Sequence, residues 1–337
     1  MSSGCTSPLP RSAAGDVVAA ALREATRVMA LVAPDSWAVT LPGAVGFSAS
    51  ARIDEGWLLF DACPSSEGSV PGSGVAAQVG GPAPAVTDAW KLLALNATLP
   101  GRVKFVAPGG GQTVRVRAEL PLDGDTHVCE RVRETCGGLA VAMRRLQAGE
   151  LGTDEILPGP PLSKAANLGE LCEAARWPFI ERPDGRLVVD LGVPSTFQQA
   201  SVEQRATGEV HVWADLAAGD PIPAPMCQQA LGILLLRASA AIRMARAAAE
   251  LSPGARGVRF EVAFASEPSA AELAHTLSAL SVACRLYARE AAFLQRDETV
   301  AGAYLGLVDR RLGSSLGTRD LAPLSPPPAR GDSGGAA

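Results

Sequence analysis

Residues 89–122 read AWKLLALNATLPGRVKFVAPGGGQTVRVRAELPL, and the fold class follows most directly from them. The stretch opens with leucines at helical spacing, and Asp88 just before it can cap a helix. Two valine-rich segments follow, 103–106 and 114–120, and a glycine-rich turn joins them. Apolar and charged residues alternate in the second segment, as they do in a half-buried strand. The stretch therefore predicts a helix followed by a β-hairpin.

The residues on either side extend this stretch into one α+β unit. Upstream, an amphipathic helical pattern is followed by short alternating segments that are typical of strands. The segment 64–86 is rich in serine, glycine and proline without periodicity, which predicts a mobile insertion. The predicted elements around the opening stretch are a helix over 15–32, strands over 37–41, 47–53 and 56–61, and a closing helix over 126–147.

The second half of the chain repeats this plan. The text VRVRAEL at 114–120 leads into a helix, and VRFEVAF at 258–264 leads into another. Repetition of one plan is stronger evidence than either half alone. The predicted elements of the second half are a helix over 168–175, strands over 177–181, 186–191 and 210–216, a helix over 226–250, a strand over 258–264 and a helix over 269–295.

The repeat predicts an α+β protein of two tandem domains, which cover residues 12–148 and 167–312. In each domain we expect an antiparallel sheet packed with helices, in the order helix, strands, helix, strands, helix. The segment 149–166, which contains Pro-Gly-Pro-Pro at 158–161, is the predicted linker. Residues 313–337 are polar and end in a proline-, glycine- and alanine-rich run, which predicts a disordered tail.

Composition and charge exclude several classes of protein. Hydrophobic residues make up 47% of the chain and charged residues 19%, so a packed core is expected. The net charge is −5 and no lysine- or arginine-rich run occurs, which argues against nucleic-acid binding. The apolar stretch 230–249 contains three arginines, so we expect no membrane insertion. The N-terminal residues lack the pattern of a signal peptide, and we expect a cytoplasmic protein.

The residue types that carry catalysis or bind metals are few and scattered. The seven cysteines form no Cys-x-x-Cys pair and only three histidines are present, so no zinc site is expected. We interpret the cysteines as buried thiols and the histidines as structural, with His211 exposed or stacked because it alternates with valines. Glycines 109–111 join two strands, unlike a phosphate-binding loop, and no Gly-x-Ser-x-Gly motif occurs. We therefore predict no enzyme activity, no catalytic residues, no cofactor and no metal.

Protein binding is the remaining function. The two candidate arginines share the charged face of strand 114–120, and that face is either solvated or a landing site for a partner. The three candidate tryptophans lie on predicted strands and are either core residues or, on an open sheet face, hot spots for binding. The predicted partner-binding residues are Trp57, Arg115, Arg117, Trp177 and Trp213.

The stretch 89–122 resembles the type III secretion chaperone-like superfamily, including its YbjN-type bacterial members. The resemblance lies in the helix text LLALN at 92–96, the Leu-Pro-Gly turn, the Val-Lys-Phe strand and the strand VRVRAELPL at 114–122. In the second half it rests on the order of elements and on 258–295. The resemblance implies an acidic protein, often a homodimer, that binds partner polypeptides through sheet faces, edges and apolar grooves. The chain departs from the family in carrying two units, which by analogy form an internal pseudo-dimer.

Two functions therefore stay open at the level of sequence. The first is a non-enzymatic, chaperone-like protein that captures a segment of a partner polypeptide. The second is a structural or adaptor subunit of a larger multiprotein assembly. The partner is a protein in both cases, and the chain itself is either a monomer with an internal pseudo-dimer or a subunit of a complex.

Overall fold

The computed structural model describes ten segments of the chain. The predicted linker lies outside them, as do the predicted insertion beyond Pro64 and the predicted tail beyond Ser315. The described residues are 11–42, 47–64, 89–108, 114–122, 127–148, 167–193, 198–205, 208–217, 224–252 and 255–315.

The N-terminal half contains six strands and three helices within the described residues. The elements are α1 (Arg11–Ala25), β1 (Val28–Ala33), β2 (Ser36–Thr40), β3 (Phe47–Asp54), β4 (Trp57–Pro64), α2 (Ala89–Asn96), β5 (Val103–Val106), β6 (Arg115–Pro121) and α3 (Val128–Ala148). The strands form one sheet in the order β1-β2-β3-β4-β6-β5. Helix α3 packs on β4, β5 and β6, and α1 packs against α3.

The C-terminal half contains six further strands and four helices within the described residues. The elements are α4 (Leu168–Ala174), β7 (Phe179–Glu181), β8 (Leu187–Asp190), β9 (Gln199–Gln204), β10 (Val210–Ala217), α5 (Pro225–Ala241), β11 (Arg246–Ser252), β12 (Ala255–Phe264), α6 (Ala270–Arg296) and α7 (Glu298–Ser315). Helix α6 packs on β10 and β12 and contacts α4, and α7 packs against α5 and α6.

The two sheets have the same strand order. The second sheet runs β11-β12-β10-β9-β8-β7, so β7 corresponds to β1 and β11 corresponds to β5. Neighbouring strands in both sheets are antiparallel. The predicted α+β class with antiparallel sheets is therefore confirmed.

The helix predicted over 15–32 is wrong at its C-terminal end. Helix α1 stops at Ala25, where the Thr26 hydroxyl donates to the Leu22 carbonyl (2.7 Å). The next residues form β1, which pairs with β2 across a turn that contains Asp35 at a φ of 53°. A short apolar run such as VMALV suits a helix or a strand equally well, and the pairing with β2 decides between them.

The helix predicted over 226–250 is also too long. Helix α5 ends at Ala241 because the backbone of Ile242 is extended (φ −94°, ψ 121°), and Met244 two residues later has a φ of 63°. The alanine-rich residues that follow form β11, and the Ala247 N–H donates to the Ser239 hydroxyl (2.8 Å). Alanine favours a helix over other residues by only about 0–0.7 kcal/mol per position, which pairing with β12 outweighs.

Two elements were not predicted. Strand β9 reads QASVEQ, and its polar composition hid the alternation that places Ala200 and Val202 in the core. Helix α7 follows α6 almost without a break. It continues to Ser315, three residues into the segment 313–337 that we expected to be disordered.

The two halves meet through equivalent elements. Helix α2 packs against α5, α2 also contacts β11, and α5 contacts β5. Exchanging the halves exchanges these contacts, as in a pseudo-twofold dimer. The two helices cross so closely that a Cβ added at Gly232 would lie 2.6 Å from the Ala89 Cβ. Buried apolar side chains of both halves belong to one continuous core.

Replacing Gly232 with alanine is expected to lower the free energy of unfolding by about 1–3 kcal/mol. The added Cβ would also lie 2.8 Å from the Ala89 carbonyl carbon, so backbone would have to move. Gly137 on α3 is the matched control, because it is exposed and a Cβ there meets no atom within 4 Å. Alanine at Gly137 is expected to stabilise by up to about 1 kcal/mol. Urea unfolding measures both effects, and equal stability of the two variants would contradict the close crossing.

Candidate functional site

Two of the predicted partner-binding residues are covered by the second half of the chain. The Arg117 guanidinium donates to the Ala240 carbonyl near the end of α5 (3.0 Å). The Arg243 guanidinium lies over the Trp57 ring (5.5 Å from its centroid), and His275 of α6 meets that ring edge-on (5.4 Å between centroids). At these positions the surface that we considered for a partner is occupied by the other half of the same chain.

The remaining predicted residues lie in different places. Arg115 is exposed at the start of β6. Trp213 is buried and stacks on His211 with 4.8 Å between ring centroids, and Trp177 is half-buried against the core. The structure thus does not gather the five residues into one surface, and their role in partner binding stays a prediction.

The most deeply buried charges lie where the two halves meet. The Nζ of Lys104 on β5 lies 2.6 Å from Glu119 Oε2 and donates to the carbonyls of Ile242 (2.7 Å) and Ala245 (3.3 Å). The same carboxylate oxygen accepts the Met244 N–H (2.6 Å). Burial lowers the pKa of Lys104, although the charge of Glu119 opposes this effect. The three groups that the pair contacts outside itself, on Ile242, Met244 and Ala245, all belong to the connection between α5 and β11, so this pair joins the halves.

Arg246 of the second half is the counterpart of Lys104, and its side chain reaches toward the first half. Arg246 on β11 donates from Nε to Glu261 (3.0 Å) and from Nη1 to the carbonyls of Gly101 and Val103 (2.9 Å each) in the α2–β5 region. Burial alone would raise the pKa of Glu261, but the charge of Arg246 and the hydrogen bond with His211 outweigh burial and hold this pKa well below its usual range. Each half therefore inserts a buried cation beside the helix–strand connection of the other. We call Lys104, Glu119, Arg246 and Glu261 the charged clamp.

The correspondence between the two halves also includes polar side chains at the ends of α2 and α5. The Asn96 Nδ2 donates to the Ala247 carbonyl in the other half (2.9 Å), and its Oδ1 accepts the Phe105 N–H (2.7 Å). In α5 the Ser239 hydroxyl accepts the Ala247 N–H. Each helix end thus supports the edge strand that follows it.

A third buried cluster joins the start of α3 to the start of α6. Glu272 belongs to a capping box with Ser269 at the N-terminus of α6. Its carboxylate pairs with Arg102 and with Arg131 of α3 (2.8 Å to Arg131 Nη2). Arg131 also donates to the Ser266 hydroxyl (3.0 Å). The cluster fixes the closing helices of the two halves against each other.

The four side chains of the charged clamp are buried in ion pairs. The charged side chains of the clamp are closed to solvent, and each cation has a carboxylate partner. General acid–base catalysis needs a group that reaches the substrate. We therefore interpret the charged clamp as a structural connection between the halves.

The three histidines lie in different environments, and His275 of α6 packs edge-on against the Trp57 ring. His211 is buried and stacked on Trp213, and its Nε2 lies 3.1 Å from Glu261 Oε2, so the alternative of an exposed side chain is wrong. His127 is exposed at the start of α3. Among the described residues no group of three histidine, cysteine, aspartate or glutamate side chains is placed to hold a metal ion.

Most of the described cysteines are buried free thiols. Burial raises the pKa of Cys136 to about 12 and that of Cys284 to about 12, so both stay protonated at neutral pH. Cys129 is exposed, so its predicted burial is wrong. Cys5 lies outside the described residues. The described cysteines, none of which forms a disulfide within the described residues, are Cys63, Cys129, Cys136, Cys172, Cys227 and Cys284.

Strand β1, with the sequence VMALVA, is the outer edge of the first sheet. Within the described residues it pairs with β2 alone, and it contains neither a charged residue nor a proline. Leu31 is 69% exposed and Val32 is 71% exposed. Natural edge strands are usually blunted by charge, proline or short length, because their free N–H and C=O groups can pair with another chain. By these criteria β1 is an open edge.

The corresponding edge of the second sheet is protected. Strand β7 has three residues, Phe179–Glu181, and ends in a charged residue. Pro178 precedes it and Arg182 follows it. Its one strongly exposed apolar side chain is Ile180. The two sheets therefore share a topology but differ at their outer edges, and β1 is the candidate binding site.

The sequence does not predict this site, because its pattern favours a helix over 15–32 and the structure has a strand at Val28–Ala33. The available signal was the pair of β-branched residues, Val28 and Val32, in an apolar run that ends before Pro34 and Asp35. Such a run before turn residues is also typical of a strand.

The comparisons with known proteins do not identify the chain. No model of a known protein family matches it, and no curated protein matches it. In the part of the chain that the structure describes, no helix is long and apolar enough to cross a membrane.

Proposed function

We propose that the chain is a non-enzymatic, chaperone-like protein that binds an extended segment of a partner polypeptide along β1. The observation that carries this proposal is the open edge, which offers six residues of main chain beside exposed aliphatic side chains. An added strand gains affinity from main-chain hydrogen bonds and specificity from alternate side chains. The partner segment is therefore uncharged at its centre, lacks proline and favours strand formation.

The register of β1 shows which side chains the partner segment meets. Met29 lies opposite Val39, and Leu31 lies opposite Trp37. Because Trp37 and Val39 are buried, Met29 and Leu31 lie on the face of the sheet that covers the core. A strand added at β1 extends this apolar face by one row, so alternate side chains of the partner pack beside Leu31.

We propose further that the chain consists of two tandem type III secretion chaperone-like domains, over 12–148 and 167–312, that form an internal pseudo-dimer in the cytoplasm. The repeated strand order and the exchangeable contacts of α2 and α5 support the tandem arrangement. The free cysteines suit a reducing compartment. Residues 89–122, which carry the resemblance, supply α2, β5 and β6 at the junction of the halves.

Selection of peptides from a random library displayed on phage, with the full chain as bait, tests the proposed function. The expected binders are rich in β-branched and aromatic residues. Leu31→Lys is expected to weaken their binding at least about tenfold, or about 1.4 kcal/mol. Ile180→Lys on β7 is the matched control, because Ile180 is 68% exposed, and it should leave affinity unchanged. Equal affinities of the two variants, or no binders at all, would count against the proposal.

A second candidate function is that of a subunit in a fixed assembly. Leu286 and Phe293 are both exposed and lie seven residues apart, on one face of α6. If this face is a permanent interface, affinity purification from the native cytosol should recover a complex of constant stoichiometry, and Phe293→Glu should dissolve it. The same complex surviving Phe293→Glu but not Leu31→Lys would favour the β1 proposal.

A further inference from the structure

A pocket of about 320 Å³ lies where α5, α6 and α7 meet, and it includes no residue of β1 or of the charged clamp. Each of the three helices lines it with residues three positions apart, which share one helix face. The volume is near the lower end of the range for ligand pockets, about 300–1,000 Å³, so it suits a small molecule. The residues that line it include Leu234 and Arg237 of α5, Tyr287 and Glu290 of α6, and Leu307 and Val308 of α7.

Arg237 is the one charged residue of α5, whose other side chains are mostly apolar and buried. Its side chain is half-buried, and within the described residues it has neither a carboxylate partner nor a hydrogen bond. By contrast Arg102, Lys104 and Arg246, which are buried between the halves, each pair with a carboxylate. Removing a cation from water costs free energy unless it is paired. The position of Arg237 therefore favours a ligand with an anionic group.

Glu290 supplies the opposite charge to the same pocket. The two side chains do not form an ion pair with each other, and Glu290 has no other basic partner within the described residues. The guanidinium offers donors alone and the carboxylate offers acceptors alone. Two opposite charges that line one pocket without pairing leave room between them for a ligand that carries both charges.

The rest of the pocket wall is largely apolar. Val308 and Leu234 are both buried, and Leu307, which is 54% exposed, adds apolar surface that water still reaches. The Tyr287 ring is half-buried and packs on Phe260 of β12 (6.2 Å between ring centroids). A mostly apolar wall with a few polar groups is the usual composition of a small-molecule site, in which the polar groups fix the orientation of the ligand.

We propose that this pocket binds a small zwitterion, a free amino acid with an aliphatic or aromatic side chain. The Arg237 guanidinium pairs with the carboxylate of the ligand, and the Glu290 carboxylate pairs with its ammonium group. The side chain of the ligand packs on Leu234, Leu307 and the Tyr287 ring. Binding here is independent of peptide binding at β1, because the two sites share no residue.

The tyrosines make a direct experiment possible. The full chain labelled with 3-fluorotyrosine gives two ¹⁹F resonances, and both report on the pocket, because Tyr287 and Tyr304 are the only tyrosines of the chain. Titration with L-leucine or L-phenylalanine should shift the resonances saturably, with a Kd of about 1 mM or lower. Isocaproate lacks the ammonium group of leucine and isopentylamine lacks its carboxylate, so each should bind at least about tenfold more weakly than L-leucine.

Substitutions assign this binding to the two charges. Arg237→Gln and Glu290→Gln should each weaken amino-acid binding at least about tenfold. Arg285→Gln and Glu173→Gln are the matched controls, because both residues are exposed and lie outside the pocket, and they should leave the Kd unchanged. Since Glu290 is exposed, Glu290→Gln is expected to keep the fold, and it tests the site even if Arg237→Gln unfolds.

Three results would overturn the proposal. The first is that neither amino acid shifts the resonances. The second is that Glu290→Gln binds as tightly as the unsubstituted chain. The third is that isocaproate binds as tightly as L-leucine, because the pocket would then recognise a simple carboxylate and not a zwitterion.

Discussion

Replacing Lys104 with methionine is expected to lower the free energy of unfolding by about 3–5 kcal/mol, because removal of one partner of a buried ion pair leaves the other charge uncompensated. Glu119 would keep the Met244 N–H as its donor but lose the ammonium 2.6 Å away. The carbonyls of Ile242 and Ala245 would lose a buried donor as well. Urea unfolding followed by circular dichroism measures the loss.

Two controls separate this effect from a general sensitivity to charge removal. Arg133→Met removes an exposed arginine that pairs with Glu24 (3.3 Å), and it should cost no more than about 1 kcal/mol. The double variant Lys104→Met/Glu119→Gln should be more stable than Lys104→Met alone, since the amide keeps an acceptor for Met244 but carries no charge. A loss for Lys104→Met as small as that for Arg133→Met would contradict the buried position of the clamp.

Replacing Glu261 with glutamine is expected to have a similarly large effect at neutral pH, about 3–5 kcal/mol, because Arg246 would stay buried without its carboxylate. The pKa of Glu261 is depressed in the folded chain, so its contribution is complete above the unfolded pKa of about 4.3. Below that pH the unfolded chain binds a proton that the folded chain does not, and the contribution falls by about 1.4 kcal/mol per pH unit.

The difference in stability between the unsubstituted chain and Glu261→Gln should therefore be constant from pH 7 to about pH 5 and shrink below about pH 4.3. Urea unfolding across this range measures the difference. Glu24→Gln is the control for an exposed carboxylate, and it should show a small difference at every pH. A difference for Glu261→Gln that grows as the pH falls would show that the sign of the pKa shift is wrong.

Local sequence was sufficient where an element's own pattern agreed with its place in the fold. Residues 89–122 gave α2, β5 and β6 nearly at their observed bounds, because leucine spacing, turn residues and valine alternation all point to the same elements. Strand β9 and helix α7 have no predicted counterpart, and the two segments assigned to the wrong kind of element are β1 and β11. Both are edge strands in which the local text suits a helix, and long-range pairing with β2 and β12 determines their structure.

Local sequence also could not predict the contact between the halves, because that contact depends on residues far apart in the chain. The alternation in strand 114–120 placed Glu119 on a charged face, and that much agrees with the structure. What covers that face is the connection between α5 and β11, more than a hundred residues later in the chain. Lys104 lies in the segment VKFV, whose four residues are all buried. The sequence pattern of this segment therefore gives no sign that Lys104 has a charged partner.

Hydrogen exchange of the full chain, free and bound to a peptide selected on it, tests most directly whether β1 is the binding edge. The backbone amides of Val28–Ala33 are expected to exchange more slowly in the complex, because an added strand pairs with the donors that face outward from β1. The amides of Phe179–Glu181 on the protected edge β7 should be unchanged. A peptide that binds tightly, leaves β1 exchange unaltered and protects α6 instead would contradict binding at this edge.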